Sequence, residues 1–394
     1  MVTVPRRNKE RGKIMTEKLY YIDAYIKEFD AEVISSEYDG KYYLTVLDKT
    51  AFFPEEGGQS ADKGFIGGVR VLDAREMDGI VYHITESELK RGSYHCVLDF
   101  DQRFEKMQCH SAEHILCGII HRLYGYENVG FHLGEDLVTF DVGGELTASE
   151  IGEVERLANE IIYENREIST VFPSHEELKK LEYRSKLELY ENVRLVVIDG
   201  VDTCACCAPH VSYTGEIGVI KIVDFMRHRG GMRLFLQAGR RAFADYTSRY
   251  EITRAVGALT STPSLEVLSS VEKLHADNAA LSARLSELGL ELARQRSSEI
   301  EKTDGNAVYL YGKGASMDEM REIANCAVER VGGVLAVLTE ADGGYRHIIA
   351  SRSVDLRTVI KDINASLSGK GGGRPEMVSG SFGSDIDTIK AYFN

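Results

Sequence analysis

The chain has 394 residues, a formal net charge of −15 and seven cysteines. Hydrophobic residues make up 43% and charged residues 28%, near the globular norms of about 45–50% and 25%, which excludes a mostly disordered chain, a collagen and a small disulfide scaffold. The acidic balance argues against a basic DNA-coating protein and leaves room for a local basic groove.

Residues 1–14 carry Arg6, Arg7, Lys9, Arg11 and Lys13 with no apolar run behind them, so no signal peptide is expected. This segment reads as a disordered extension or a misassigned start, Met15 being the other start; a nucleic-acid-binding arm is the alternative. No run reaches the ~18 apolar residues of a membrane span. A reducing, cytoplasmic setting is therefore expected, where cysteines serve as metal ligands or buried thiols.

In chain order, β-rich runs at 32–34, 42–47, 69–73, 80–84 and 95–98, separated by Gly, Asp and Pro, predict a small barrel-like domain over 15–100. A helix is predicted at 101–125, ended by Gly125, then a strand at 138–142 and a helix at 149–167 with Ser149 as its cap. Strands return between 193 and 236, closing a domain at 101–255. Leu274, Leu281, Leu285, Leu288 and Leu292 follow one another at spacings of 7, 4, 3 and 4, a heptad seam. With Ser264 as cap, this predicts a helical connector at 256–304 that pairs with another helix; a plain amphipathic surface helix is the alternative. Residues 305–394 alternate strand and helix before a glycine-rich stretch and a last helix, predicting an α/β end. The expected class is α+β overall: barrel-like, metal-containing α+β, long helical connector, and α/β C-terminus.

The chemistry starts on the helix at 101–125. At about 100° per residue, with His110 at zero, His114 falls near 40°, Cys117 near −20° and His121 near 20°. The aliphatic stripe (Ala112, Ile115, Leu116, Ile119) lies opposite, which weakens a core reading of these histidines; a solvated polar face is the alternative. His110 and His114, at i and i+4, can share a metal. A second half-site stands in Cys204-Ala205-Cys206-Cys207-Ala208-Pro209-His210, where Cys206 and His210 have donors suited to zinc. Buried thiols, a vicinal disulfide or a redox pair are the alternatives. His110-Ser111-Ala112-Glu113-His114 also fits the H-x-x-E-H spacing of inverted zinc peptidases, with Glu113 as base.

With these residues stands the turn Phe53-Pro54-Glu55-Glu56-Gly57-Gly58-Gln59 with Asp62-Lys63-Gly64, and Gly371-Gly372-Gly373-Arg374-Pro375-Glu376. Together the four motifs resemble those of the alanyl-tRNA-editing proteins of the AlaX type, long form, related to the editing half of alanyl-tRNA synthetase. The resemblance runs from about Thr16 to Asn394. Two departures stand out: proline replaces the family's threonine before His210, and Cys204 and Cys207 are extra sulfurs beside Cys206.

The resemblance implies hydrolysis of tRNA(Ala) mischarged with serine or glycine, and one zinc held by His110, His114, Cys206 and His210. A site that hydrogen-bonds the serine hydroxyl can reject correctly charged alanine, which lacks it. Gln59, Ser111 and Thr139 are the candidate readers, with His132 beside the pocket. From Lys221 to Arg254 eight Lys/Arg face three acids in sequence, so Arg227, Arg229, Arg233, Arg240 and Arg241 are candidate tRNA contacts. Gly372, Gly373 and Arg374 are further candidates, offering backbone N–H groups to a phosphate; a flexible turn is the alternative. No ATP-binding loop is present, so no ATP chemistry is expected. The leucine seam and the C-terminal domain suggest a homodimer, and no membrane partner is expected. A non-catalytic tRNA-binding module with structural zinc, or a zinc peptidase using Glu113, are the competing functions.

Overall fold

The structure, a computed structural model, describes residues 15–134, 138–185 and 193–394; the expectation of a disordered extension at 1–14 lies outside them. The chain divides into two compact units, one up to Ile252 and one from Thr253.

In the first unit, strands Glu28–Tyr38, Tyr43–Leu47, Ile80–Thr85, Val69–Met77, Gly64–Ile66 and Gly92–Leu98 pair in that order, and the last pairs back with the first. Gly64–Ile66 is a correction to the five runs read from sequence: too short and glycine-led to carry a period, it earns its place by pairing on both sides. The ring is tied to the helix Phe100–Tyr124 through a buried ion pair, Asp62 with Arg103, both below 3% exposed. Arg103 also donates to Ala51 O at 2.6 Å and Ala24 O at 3.2 Å.

The helix ends where Gly125 takes a left-handed φ of 70°, donating back to His121 O. The next helix, Ala148–Glu164, is capped by Thr147 with Glu150 in a capping box, not by Ser149 as expected. Both helices cover a four-stranded antiparallel sheet of Ile220–His228, Gly231–Ala238, Val138–Val142 and Asn128–Leu133. A second antiparallel sheet, Ile168–Val171, Leu195–Ile198 and Asp202–Ala205, brings the cysteine segment to the first helix. Gly118 allows this contact: a Cβ there would sit 2.5 Å from Val201 O and 2.9 Å from Asp202 Cβ.

The second unit corrects the expected α/β class. Its five-stranded sheet runs Ala307–Lys313, Val334–Ala341, Gly344–Ser351, Met377–Phe382, Gly369–Arg374. Only the first pair is parallel, so this end is α+β, and the chain as a whole is α+β with separate sheets and one long helix. The glycine-rich stretch expected as a phosphate loop or turn is the edge strand Gly369–Arg374: Gly372 pairs with Ser379 and Gly373 with Val378. A Cβ at Gly371 or Gly373 would lie 2.5 Å from a backbone oxygen of the neighbouring strand, so glycine serves close strand approach.

The long helix is Val267–Ser297, preceded by a short turn at Ser264–Glu266, so Ser264 does not cap it. Its last turns pack on Met317–Ala327, with Ala293 buried and Arg294 bonded to Glu322 at 2.6 Å. Leu274, Leu281, Leu285, Leu288 and Leu292 all remain exposed. The seam read from the spacing is unpaired among the described residues.

Each unit holds a neutral buried histidine. His83 bonds Thr50 Oγ1 at 2.8 Å and Thr45 O at 3.1 Å, and burial pushes its pKa down to about 4. His347 packs on Phe382, has no hydrogen bond among the described residues, and is likewise pushed down by burial to about 4. Between pH 6.5 and 4 the unfolded imidazoles bind protons that the folded ones do not, so stability falls as pH drops through that window. Thermal unfolding between pH 7 and 4 checks this. His347→Leu should flatten the loss in the second unit; an unchanged slope would refute it.

Candidate metal centre

The turn at 53–59 supplies the first part of the site. Gly57 and Gly58 have φ of 62° and 86°, conformations that favour glycine. A Cβ on Gly58 would also lie 2.4 Å from Phe131 O. Gly58 O accepts from Leu133 N at 2.7 Å, seating the turn on the strand Asn128–Leu133. This places the Gln59 side chain on the histidine helix.

Side-chain donor atoms of His110, His114, Cys206 and His210 all lie within 4.8 Å of one another, and the three histidines are below 6% exposed. His110 Nε2 is 3.6 Å and His210 Nε2 3.4 Å from Cys206 Sγ. Each imidazole is held from behind at Nδ1: His110 by Gln59 Oε1 at 2.8 Å, His114 by Asp202 Oδ2 at 2.9 Å, and His210 by Ser111 Oγ at 3.0 Å. Binding one nitrogen leaves the other as the donor toward a common point, the arrangement by which outer groups orient metal-ligating histidines. Three imidazoles and one thiolate are a donor set that zinc fits.

The electrostatics single out one sulfur. Burial opposes ionisation of Cys206, but His110 and His210 beside it hold its pKa well below the ordinary thiol value. Burial pushes the Cys204 thiol up to about 11 and raises Cys207 further. Asp202, although buried, is drawn down to about 2 by His114 and by Arg184, which bonds both its oxygens at 2.7 and 2.8 Å. A second potential donor group, His114, Asp202 and Cys204, therefore already has a guanidinium on its carboxylate. Arg194 steadies the ligand loop, donating to Cys206 O at 2.8 Å and Ala208 O at 2.9 Å.

The centre opens on a cavity of about 480 Å³, lined by Tyr21, Phe131, Phe172, Glu113, Arg184 and Arg194 among others. Of the expected hydroxyl readers, Gln59 and Ser111 are buried and engaged with imidazoles. Thr139 pairs with His132 across the sheet, on the face opposite Phe131, and neither lines the cavity. His132 is exposed and Thr139 buried.

The expected tRNA contacts meet acids from elsewhere in the chain. Arg233 is bidentate to Asp141 at 2.7 Å, Arg240 reaches Asp101 at 2.6 Å, Arg227 reaches Glu145 at 2.9 Å and Arg241 reaches Glu105 at 3.5 Å. Arg229 is exposed. Gly372, Gly373 and Arg374 belong to the second unit and are exposed.

Asp202, Arg184 and Arg194 carried no signal in the sequence, because each acts through a neighbour brought by the three-stranded sheet. Asp202→Asn should lower metal affinity about 10–100-fold, the usual effect of losing such a partner. Competition with a metal chelator measures this; unchanged affinity would remove Asp202 from the centre.

Residues 193–234 match the tRNA_SAD family model, described as the threonyl and alanyl tRNA synthetase second additional domain, and residues 304–393 match the DHHA1 domain. The chain is 27% identical over 390 residues to the alanyl-tRNA editing protein AlaX-L of Pyrococcus horikoshii, covering 93% of this chain and 94% of that protein. It is 31% identical over 360 residues to the alanine–tRNA ligase of Halobacterium salinarum, covering 85% of this chain but only 38% of the ligase. The C-Ala domain of Aquifex aeolicus alanyl-tRNA synthetase is matched over 22% of this chain and 86% of that domain, at 19% identity and a TM-score of 0.19.

Proposed function

We propose, from the premise that this is an AlaX-L-like chain built with tRNA_SAD and DHHA1 domains, that it is a trans-editing hydrolase that deacylates tRNA(Ala) carrying serine or glycine. The observation that carries this reading is the buried His110–His114–Cys206–His210 cluster, of which His110, His114 and Cys206 line a cavity.

Zinc bound there would polarise the ester carbonyl or lower the pKa of a water toward ~7. The chain's own part is orientation. Gln59, Asp202 and Ser111 fix the imidazoles, and Arg194 holds the loop that carries Cys206 and His210. Tyr21, Phe131 and Phe172 line the cavity and offer ring faces to the terminal nucleoside. The exposed Arg227 and Arg240 pair with the exposed acids Glu145 and Asp101, contacts weak enough for RNA phosphates to displace.

Incubation with Ser-tRNA(Ala), Gly-tRNA(Ala) and Ala-tRNA(Ala), together with metal analysis, tests the proposal. Hydrolysis of the first two and sparing of the third is expected, with one zinc per chain. The complete four-donor set favours a second reading, a tRNA-binding module with structural zinc. Binding without turnover, and loss of fold on chelation, would establish that reading instead. The exposed leucine face supports a homodimer; a monomer in sedimentation at micromolar concentration would refute it. A cytoplasmic setting is part of the same reading, and no helix among the described residues is long and apolar enough to cross a membrane.

A further inference from the structure

The deacylase reading leaves one buried group of the cavity wall without a task. Glu113 is 3% exposed and sits between the metal-site histidines on the same helix. Its Oε1 is fixed by Asn128 Nδ2 and by Cys117 Sγ, the latter at 3.2 Å. Its Oε2 makes no hydrogen bond among the described residues and stands 4.0 Å from His114 Nε2. The two described arginines of the cavity are engaged elsewhere: Arg184 with Asp202, and Arg194 with backbone carbonyls. A buried carboxylate with one oxygen anchored and one open to a cavity is strongly favoured by a cationic partner. An aminoacyl ester brings one, its α-ammonium, attached to the carbon next to the carbonyl under attack.

We infer that Glu113, held by Asn128 and Cys117, is the acceptor for the α-ammonium of the aminoacyl ester, an inference that rests on the deacylase reading. The contact places the scissile carbonyl beside the histidine cluster. It also makes the site selective for esters with a free amino group over acylated or hydroxy-acid esters. Glu113 thus takes a substrate-binding task rather than the general-base role that the peptidase spacing suggested.

The test uses the metal-loaded full chain and two stable probes: 3′-amino-3′-deoxyadenosine acylated with serine, and the same nucleoside acylated with glyceric acid, in which hydroxyl replaces ammonium. Wild type is expected to bind the serine probe about 10–100-fold more tightly, the scale of one charge-assisted hydrogen bond. In Glu113→Gln this ratio should collapse to within about threefold, since a neutral amide gives the ammonium no counter-charge in the buried site, with metal content unchanged. Asn128→Ala, which frees Oε1, should lower the ratio as well and provides a second readout if Glu113→Gln folds poorly.

A wild-type ratio near one, or an unchanged ratio in Glu113→Gln, overturns the inference. So does a loss of bound metal in Glu113→Gln, which would make Glu113 a ligand. A drop in turnover with the ratio intact would assign it the general-base role. The deacylation assay separates the two readings. Hydrolysis of Ser-tRNA(Ala) with no ammonium preference sinks the inference alone, whereas ammonium preference without hydrolysis sinks the deacylase reading alone.

Discussion

Cys206→Ala is expected to strip the metal and lower deacylation about a thousandfold or more, several kcal/mol of Lewis-acid stabilisation in the transition state. Cys204→Ala and Cys207→Ala should keep both the metal and most of the activity. The sequence offers three sulfurs within four positions, and the structure ranks them. Cys206 lies against two imidazole Nε2 atoms, at 3.4 and 3.6 Å, which favour its thiolate. Burial drives Cys204 the other way, and Cys207 is further raised by the Cys206 thiolate and Glu56. Metal content and single-turnover deacylation of the three variants check the order. Equal losses in all three would mean that the cysteines act as a group.

Arg103→Met should destabilise the first unit by about 3–5 kcal/mol, because it leaves the Asp62 carboxylate buried and unpaired. Asp62 also accepts from Phe53 N at 2.7 Å, so the ion pair joins the glycine turn, the strand ring and the histidine helix. The double variant Asp62→Asn/Arg103→Met should recover part of the loss, since a neutral pair no longer strands a charge. Urea unfolding measures both. A single variant within about 0.5 kcal/mol of wild type would fit a surface pair and contradict this account.

The helix with its histidine stripe was legible from residue spacing alone, because two residues four apart on a helix share a face whatever surrounds them. So was the end of that helix at Gly125, and so was the second pair of donors in the cysteine segment. These are local properties, governed by backbone periodicity and by residue chemistry. The tertiary structure decided the roles. Gln59 and Ser111, read as hydroxyl readers, face imidazoles because a turn and a helix meet there. Thr139 and His132 turn away because strand alternation is fixed by the sheet's register.

The charge excess counted along 221–254 is largely cancelled by acids at 101, 105, 141, 145 and 155. A sum along the chain cannot register partners brought by folding. The glycine run became an edge strand rather than a loop by pairing with Met377–Phe382, and Gly371 and Gly373 let the two strands approach closely. Asp202 and Arg184 were invisible for the same reason: Asp202 acts on His114, 88 positions away, and Arg184 acts on Asp202. What chemistry the donors can do was legible from their types. Which nitrogen, which sulfur and which carboxylate does it depends on contacts between distant segments, which only the folded chain brings within hydrogen-bonding reach.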